Sequence, residues 1–298
     1  MLEKSASETP PAMQLTSDNT ALVLDSGSDV ADPEARHPNW RLVPAYVYLG
    51  ERSYRDRVEL SPEEFFRRLR AGGEQPRTSQ PSPGDFAEVY AALEGYDRIL
   101  AVTASARLSG MHDSALLGAQ TSGAAARVRV IDSATVSGAI ALLADAMQRR
   151  LDRGTTDEEI DALVERFHRE SRYLCALDTL EYLVRGGRVG KASGLAAELA
   201  GVKPIVQVLD GEIAPLRRVH GRVRLLAALE RVFAAETDDA ADLRMGVAHA
   251  DAEASARELA ERLAALRPSA SLDFFGAFGP GVGSHSGPGA VALFWFRD

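Results

Sequence analysis

The sequence predicts an α/β protein with two domains, on three observations. Short apolar runs alternate with capped helices through the first half of the chain, which is typical of βαβ units and a parallel sheet. In the second half two apolar runs flank Asp210-Gly211, a hairpin turn signal, so the architecture changes there. With 298 residues the chain is long enough to bury two cores.

The first elements are marked by composition. Residues 1–19 are polar and rich in Ser, Thr and Pro, which predicts a disordered leader. A buried strand follows at 21–24, and a second apolar run spans 42–49. Ser61-Pro62-Glu63-Glu64 and Ser82-Pro83-Gly84-Asp85 each open a helix, with Ser as the N-cap and Pro at the first helical position.

The remaining elements divide into two sets at a boundary predicted near residue 165. The first domain, 20–165, continues with strands at 99–103 and 128–131, a helix capped by Ser109, and helices at 139–147 and from Thr156 to about Glu170. The second domain, 166–298, contains strands at 205–209, 213–219, 245–248 and 290–296, and helices at 222–235 and 252–266.

Composition excludes several classes of protein. A net charge of −9 argues against general affinity for nucleic acid or anionic membranes, which need a basic face. No stretch approaches the length of a membrane span, and the N-terminus lacks the apolar region of a signal peptide. Cys175 is the sole cysteine, so an internal disulfide is impossible and a reducing compartment is expected. These features predict a cytoplasmic protein without stable membrane insertion.

Two polar segments come directly before predicted helices. Thr78-Ser79-Gln80-Pro81-Ser82 concentrates four hydrogen-bonding side chains, which indicate either a loop with a helix cap or a set of hydroxyls facing a ligand. Leu108-Ser109-Gly110 lies between a strand and a helix, where backbone N–H groups and a hydroxyl suit an anionic oxygen. In an open α/β sheet such turns lie at the edge where ligands bind, which favours an anion site over a simple cap.

Two glycine-rich segments differ in what they predict. Gly186-Gly187-Arg188-Val189-Gly190-Lys191-Ala192 fails as a phosphate loop, since Arg185 replaces the first glycine and Ala192 the magnesium-binding hydroxyl, so no ATP binding is expected there. Near the end, six glycines between 276 and 289 surround Ser284-His285-Ser286. The glycines favour a segment whose backbone approaches its neighbours closely, around a histidine that contacts a carboxylate, over a flexible turn.

Catalytic and metal-binding alternatives are weaker. Ser109, His285 and Asp25 are candidates for a hydrolase or acyltransferase triad, but the Gly-x-Ser-x-Gly elbow is absent around Ser109. The six histidines are scattered without the spacing of metal ligands. A binding module for a polar metabolite remains a third alternative, and it predicts a polar, open cavity.

Taken together, the segments resemble the DegV family of bacterial fatty-acid-binding proteins from Leu22 onward. The motifs that carry the resemblance, in chain order, are Leu24-Asp25-Ser26, Tyr54-Arg55-Asp56, Ser61-Pro62-Glu63-Glu64-Phe65, Thr78-Ser79-Gln80-Pro81-Ser82-Pro83-Gly84, Leu108-Ser109-Gly110, Asp178-Thr179-Leu180-Glu181-Tyr182-Leu183, Gly186-Gly187-Arg188-Val189-Gly190-Lys191, Lys203-Pro204-Ile205 and His285-Ser286-Gly287-Pro288-Gly289.

The resemblance implies an N-terminal parallel-sheet domain, a C-terminal domain with a mixed sheet, and a tunnel at their junction that holds a long-chain fatty acid. It implies that Thr78 and Ser109 hydrogen-bond the ligand carboxylate, with Ser79 and Gly110 beside them, and that Arg188 and His285 lie around the carboxylate and a partner surface. It also implies a carrier with no resident cofactor and no catalysis of its own, which presents its ligand to a separate ATP-dependent fatty acid kinase.

The sequence departs from the family pattern at two places. Met111-His112 follow Ser-Gly where the family usually has Thr or Ser and then Tyr, and His220 stands where an arginine is common. These departures bear on the pocket beside the head group and on kinase docking.

Overall fold

The computed structural model describes residues 13–72, 75–195 and 202–298. Within these ranges the strands are β1 Thr20–Asp25, β2 Trp40–Val43, β3 Tyr46–Leu49, β4 Arg52–Arg55, β5 Arg77–Ser79, β6 Arg98–Thr103, β7 Val128–Asp132, β8 Arg172–Ala176, β9 Val202–Leu209, β10 Glu212–His220, β11 Leu243–His249, β12 Ser271–Ala277 and β13 Val291–Arg297. The α-helices are α1 Pro33–Arg36, α2 Pro62–Arg70, α3 Pro83–Ala92, α4 Met111–Thr121, α5 Gly138–Leu151, α6 Asp157–Glu170, α7 Glu181–Arg185, α8 Arg222–Glu236, α9 Glu253–Leu266 and α10 Pro280–Ser286. Short 3₁₀ helices occupy Ser26–Ser28 and Gly190–Leu195.

The first sheet is parallel, as predicted. Its strand order is β2-β1-β6-β7, and each neighbouring pair runs in the same direction. Along β1, Leu22 and Leu24 join the core on one face, while Ala21 and Val23 join the core on the other. A strand buried on both faces needs apolar residues at every position, which explains the uninterrupted apolar run.

The second sheet is mixed, with the order β10-β9-β8-β13-β11-β12. Strands β11 and β12 are parallel, and the other neighbouring pairs are antiparallel. The predicted hairpin is confirmed, since Asp210 and Gly211 join β9 to β10 with φ of 50° and 77°. Two left-handed residues give a turn whose twist matches the strands that it connects.

Helix α5 packs between the two sheets. One apolar cluster contains Leu22 of β1, Leu143 of α5 and Phe294 of β13, so the core runs from one sheet to the other. At Gly138 a Cβ atom would lie 2.4 Å from the Phe294 ring, so α5 approaches the mixed sheet this closely only because the position is glycine. Helices α3 and α4 cover the outer face of the parallel sheet, and α8 and α9 cover that of the mixed sheet.

A small antiparallel sheet with the order β4-β3-β5 was not predicted. The apolar run at 42–49 forms β2 and β3 in two different sheets, because Pro44 interrupts it and has no N–H to continue a ladder. The Thr78 segment, predicted as a loop, is strand β5, where Thr78 pairs with Val47. Strand β12 was also missed.

The starts of the predicted helices agree with the structure except at Ser109, whereas helices α1, α7 and α10 were not predicted. Ser61 Oγ accepts from the Glu64 N–H at 3.3 Å, and Ser82 and Asp85 form a reciprocal capping box. Helix α4 begins at Met111 with Gly110 as its N-cap, so Ser109 lies one position too early to cap it. No helix in the described ranges has the length and apolar composition to cross a membrane.

Order begins earlier than predicted. Leu15 is fully buried and exchanges two backbone hydrogen bonds with Thr155, of 2.8 and 2.9 Å. The predicted leader at 1–19 is therefore wrong for residues 13–19, and its first twelve residues lie outside the described ranges. The chain passes from the parallel sheet to the mixed sheet across α6, and the domain boundary near residue 165 stays a prediction.

Candidate functional site

A cavity between the two sheets is lined by residues from both halves of the chain. The space within the cavity and its mouth is about 880 Å³, part of which is open to solvent. Most of the wall is apolar, with Met111 and Val136 from the first half and Leu177, Leu183 and Val206 from the second. A smaller set of polar side chains includes the sequence candidates Thr78, Ser79, Ser109, Arg188 and His285. Gly110 lies in an outer cleft that adjoins this cavity at Ser109 and Arg188.

Thr78 and His285 are in direct contact. Thr78 Oγ1 lies 2.9 Å from His285 Nε2, although the two residues are 207 positions apart in sequence. Strand β5 holds the threonine, and the glycine-rich segment forms helix α10, which holds the histidine. Within the glycine run the backbone does approach its neighbours closely, since a Cβ at Gly287 would lie 2.2 Å from the Tyr182 ring. The backbone of Gly186 in turn packs on His285, where a Cβ would lie 2.2 Å from Nδ1.

The environment of His285 keeps its imidazole neutral. Burial, and then the nearby positive charge of Arg188, lower its pKa from 6.5 to about 4. The charge change near neutral pH that a histidine can offer is therefore absent here. His285 Nδ1 is buried and has no hydrogen-bond partner among the described residues.

Arg188 connects the two segments that surround the polar side of the cavity. Its Nε donates to the Leu108 carbonyl at 3.1 Å, and its Nη1 donates to the Gly186 carbonyl at 2.6 Å. No carboxylate of the described residues lies within ion-pair distance of its guanidinium. The cavity therefore contains a cation whose charge is not balanced by any carboxylate of the described residues.

Ser109 reaches the same region from the other side. Its Oγ accepts from the Met111 N–H at 3.3 Å, a contact that leaves the hydroxyl hydrogen to donate elsewhere. Gln80, which follows Thr78 and Ser79, packs on Gly110, where a Cβ would lie 2.7 Å from its Nε2. The structure thus brings the Thr78, Ser109, Gly186 and His285 segments together around one side of the cavity.

The triad of Ser109, His285 and Asp25 does not assemble among the described contacts. His285 Nε2 contacts Thr78, and Asp25 accepts from the backbone N–H groups of Gly27 and Ala104 at 2.8 and 2.7 Å. Cys175 lies in the cavity wall, where burial raises its pKa to about 12 and keeps it a thiol. In the described ranges no group of three His, Cys, Asp or Glu residues is placed to hold a metal ion.

Sequence reasoning gave no role to Asp56 and Tyr173, which also line the cavity together with Gln80 of the predicted polar segment. Asp56 stands in a polar stretch between Arg55 and Arg57, where an aspartate is expected at the surface, yet it is 1% exposed. The glycine pattern held an indirect signal, because Gly281 leaves the space that Asp56 occupies.

This arrangement defines an α/β protein with a mainly apolar ligand cavity between a parallel and a mixed sheet. The sequence model of the DegV family, described as a family of uncharacterised proteins, matches residues 19–298. The chain therefore belongs to the DegV family.

Relatives agree in sequence and fold. The chain is 33% identical over 281 residues to a fatty acid-binding protein of Thermotoga maritima, covering 91% of this chain and 96% of that protein. The fold is similar to that of a solved DegV family protein from Thermus thermophilus, whose structure is described as showing fatty acid binding. The two chains are 32% identical and superpose with a TM-score of 0.87, over 94% of this chain and all of that one. The fatty acid kinase (Fak) B3 protein of Streptococcus pneumoniae, solved with linoleic acid, shares the fold at 22% identity, with a TM-score of 0.81 over 94% of this chain and all of that one.

Proposed function

We propose that this chain binds a long-chain fatty acid and presents its carboxylate to a separate ATP-dependent fatty acid kinase. The observation that carries the proposal is the composition of the cavity. Its wall is mainly apolar, and one side has the hydroxyls of Thr78, Ser79 and Ser109 and the guanidinium of Arg188, which has no carboxylate partner among the described residues. The alternative of a polar metabolite predicts a polar, open cavity, because the polar groups of a buried ligand need hydrogen-bond partners.

The apolar wall supplies the binding free energy. Burying a methylene is worth about 0.8 kcal/mol, so a tail of about fifteen methylenes offers about 12 kcal/mol. Loss of ligand freedom consumes several kcal/mol of this. Micromolar or tighter binding then needs little from the head group, and the hydroxyls orient the carboxylate without holding it strongly. We propose that the tail extends through a tunnel at the junction of the two halves.

Thr78 and Ser109 each donate one hydrogen bond to the carboxylate in this proposal. Thr78 has a single hydroxyl hydrogen, so it can donate to the ligand only if His285 Nε2 is the donor to Thr78 Oγ1. The neutral imidazole with its proton on Nε2 satisfies that requirement, and the low pKa of His285 keeps it in the neutral form. Ser79 and Gly110 complete the surroundings of the head group.

Arg188 has two roles in the proposal. Its hydrogen bonds to Leu108 and Gly186 hold the two segments together, and its charge lies near the carboxylate. When a kinase brings γ-phosphate to the carboxylate, negative charge accumulates between them, and a guanidinium stabilises that charge. The chain itself is proposed to be non-catalytic, without a resident cofactor, and cytoplasmic, with a domain boundary near residue 165.

Lipid extraction tests the ligand. Protein purified from a bacterial host is expected to contain a co-purifying fatty acid at a substantial fraction of one per chain, measured by mass spectrometry of the extract. Acyl phosphate should form only when a cognate kinase, ATP and magnesium are added. Protein that is consistently free of lipid and does not bind added long-chain fatty acid would contradict the proposal, as would ester hydrolysis by the protein alone.

A further inference from the structure

Asp56 is a buried acid that faces the cavity. Its side chain lines the wall and is 1% exposed, and neither carboxyl oxygen has a hydrogen-bond partner among the described residues. The Ser26 hydroxyl and the Gly281 N–H lie near enough to lower its pKa but do not reach hydrogen-bond geometry. Buried polar groups are almost always paired, so an unpaired carboxyl on a ligand cavity indicates a partner supplied from outside the chain.

The position of Asp56 separates it from the head-group residues. It packs against Gly281 in helix α10, where a Cβ would lie 2.6 Å from Asp56 Oδ2. His285 is four residues further along the same helix, which corresponds to about 6 Å along the axis. If the ligand carboxylate lies beside Thr78 and His285, a carbon atom of the acyl chain would therefore lie beside Asp56.

The charges around Asp56 allow its carboxyl group to be either protonated or ionised. The carboxyl of Asp29 raises its pKa and Arg57 lowers it. Arg57 Nη2 donates to Asp29 and to the Ala277 carbonyl, whereas Arg57 Nε has no hydrogen-bond partner among the described residues. Burial is the largest effect and raises the pKa of Asp56 to about 6. The ionised form accepts hydrogen bonds only, whereas the protonated form also donates.

We propose that Asp56 forms a second polar subsite, which hydrogen-bonds a hydroxyl group on the acyl chain, so that the cavity selects hydroxy fatty acids. The inference rests on the proposed function of fatty-acid binding. A hydroxyl group both donates and accepts, and thus matches either form of the carboxyl. A keto or epoxide oxygen only accepts and matches the protonated form alone, and an alkyl chain matches neither.

The test is a positional series of monohydroxystearic acids compared with stearic acid. Affinities are measured by displacement of a fluorescent fatty acid from delipidated wild-type protein and from the Asp56→Leu and Asp56→Asn variants. Wild-type protein is expected to bind one position, or two adjacent ones, about three- to tenfold more tightly than the others, as one added hydrogen bond provides. Asp56→Leu should abolish that preference and bind stearic acid at least as tightly as wild type, and Asp56→Asn should keep part of the preference.

Thr78→Val is the matched control, because it removes a head-group contact and should weaken every acid of the series by the same factor. If wild-type protein binds all the hydroxystearic acids with the same affinity, the subsite is overturned, and the carboxyl of Asp56 is satisfied by water or by the protein itself. The positional series with wild-type protein does not depend on the folding of any variant. A preference that survives Asp56→Leu would overturn it as well. If neither stearic acid nor any hydroxystearic acid binds, the proposed function itself fails.

Discussion

Asp29 and Arg188 are both charged groups near the cavity, but they use their hydrogen-bonding capacity in opposite ways. Asp29 accepts from Arg57 at 3.2 Å, from the Gly279 N–H at 2.7 Å and from Ser137 Oγ at 2.6 Å, so both of its oxygens have partners. Arg188 donates to two carbonyl groups and has no carboxylate partner among the described residues.

The two groups therefore have different roles, since the polar contacts of Asp29 are made within the protein, whereas the charge of Arg188 is available to a ligand. The Asp29 cluster lies behind the cavity wall and joins the start of α10 to the loop after β1, where its partners stabilise the fold. Arg188, His285 and Asp56 line the cavity, and among the described residues Arg188 has no carboxylate partner and His285 Nδ1 and both Asp56 oxygens have no hydrogen-bond partner. Changing Asp29 should therefore alter stability, whereas changing Arg188 or Thr78 should alter ligand binding or turnover.

The largest effect is expected for Asp29→Ala. The substitution leaves the buried Arg57 charge unpaired, which costs about 3–5 kcal/mol in the free energy of unfolding. Urea denaturation of ligand-free protein measures it. Asp238→Ala is the matched control, because that carboxylate pairs with Arg297 at the surface with its side chain 92% exposed, and should change stability by less than about 1 kcal/mol. Equal losses in the two variants would contradict the structural role of the Asp29 cluster.

The pH dependence of stability is expected to change in His285→Asn. Because the folded protein lowers the His285 pKa from 6.5 to about 4, the unfolded chain binds more protons between these values, and this residue makes stability rise with pH there. The contribution is at most about 3 kcal/mol. Buried Asp25 and Asp56, with pKa values raised to about 7 and about 6, act in the opposite direction and make stability fall as pH increases.

His285→Asn removes this one contribution and leaves those of the other titratable groups, so the slope of stability against pH between about 4 and 6.5 should be more negative than in wild type. Urea denaturation at a series of pH values measures the slope. His168→Gln, a change at an exposed histidine, is the control for the loss of an imidazole. An unchanged slope in His285→Asn would contradict the lowered pKa.

Arg188→Gln should affect turnover with a cognate kinase more than affinity. Loss of the guanidinium charge is expected to lower the kinase-coupled rate about ten- to hundredfold, as removal of one charged hydrogen bond would. Fatty-acid affinity should change much less, and Arg188→Lys, which keeps the charge, should recover part of the rate. If affinity, stability and turnover fall together, Arg188 only ties its loop to Leu108.

The smallest effects are expected for Thr78→Val and Ser109→Ala. Each removes one hydroxyl donor and should weaken fatty-acid binding by about 0.5–1.5 kcal/mol, measured by titration calorimetry. The matching fatty alcohol should be much less sensitive, because it has no carboxylate to orient. Equal losses for acid and alcohol would show that these residues shape the cavity rather than contact the carboxylate.

Local patterns predicted most of the secondary structure because their causes are local. The Ser61 and Ser82 caps, the Asp210-Gly211 turn and the apolar run of β1 depend on residues a few positions apart. The short strands β4 and β5 were missed because each is only three or four residues long and partly exposed. Their order depends on pairing with β3, which no local pattern reveals.

The sequence by itself determined the two sheet types, the family and the segments that contain Thr78, Ser109, Arg188 and His285. Only the tertiary structure decided which atoms meet. His285 contacts Thr78 rather than Ser109, and Asp56 is buried on the cavity wall with no hydrogen-bond partner for its carboxyl among the described residues. The physical reason is that hydrogen bonds and desolvation act over a few ångströms in space, between residues that the fold brings together from distant parts of the chain.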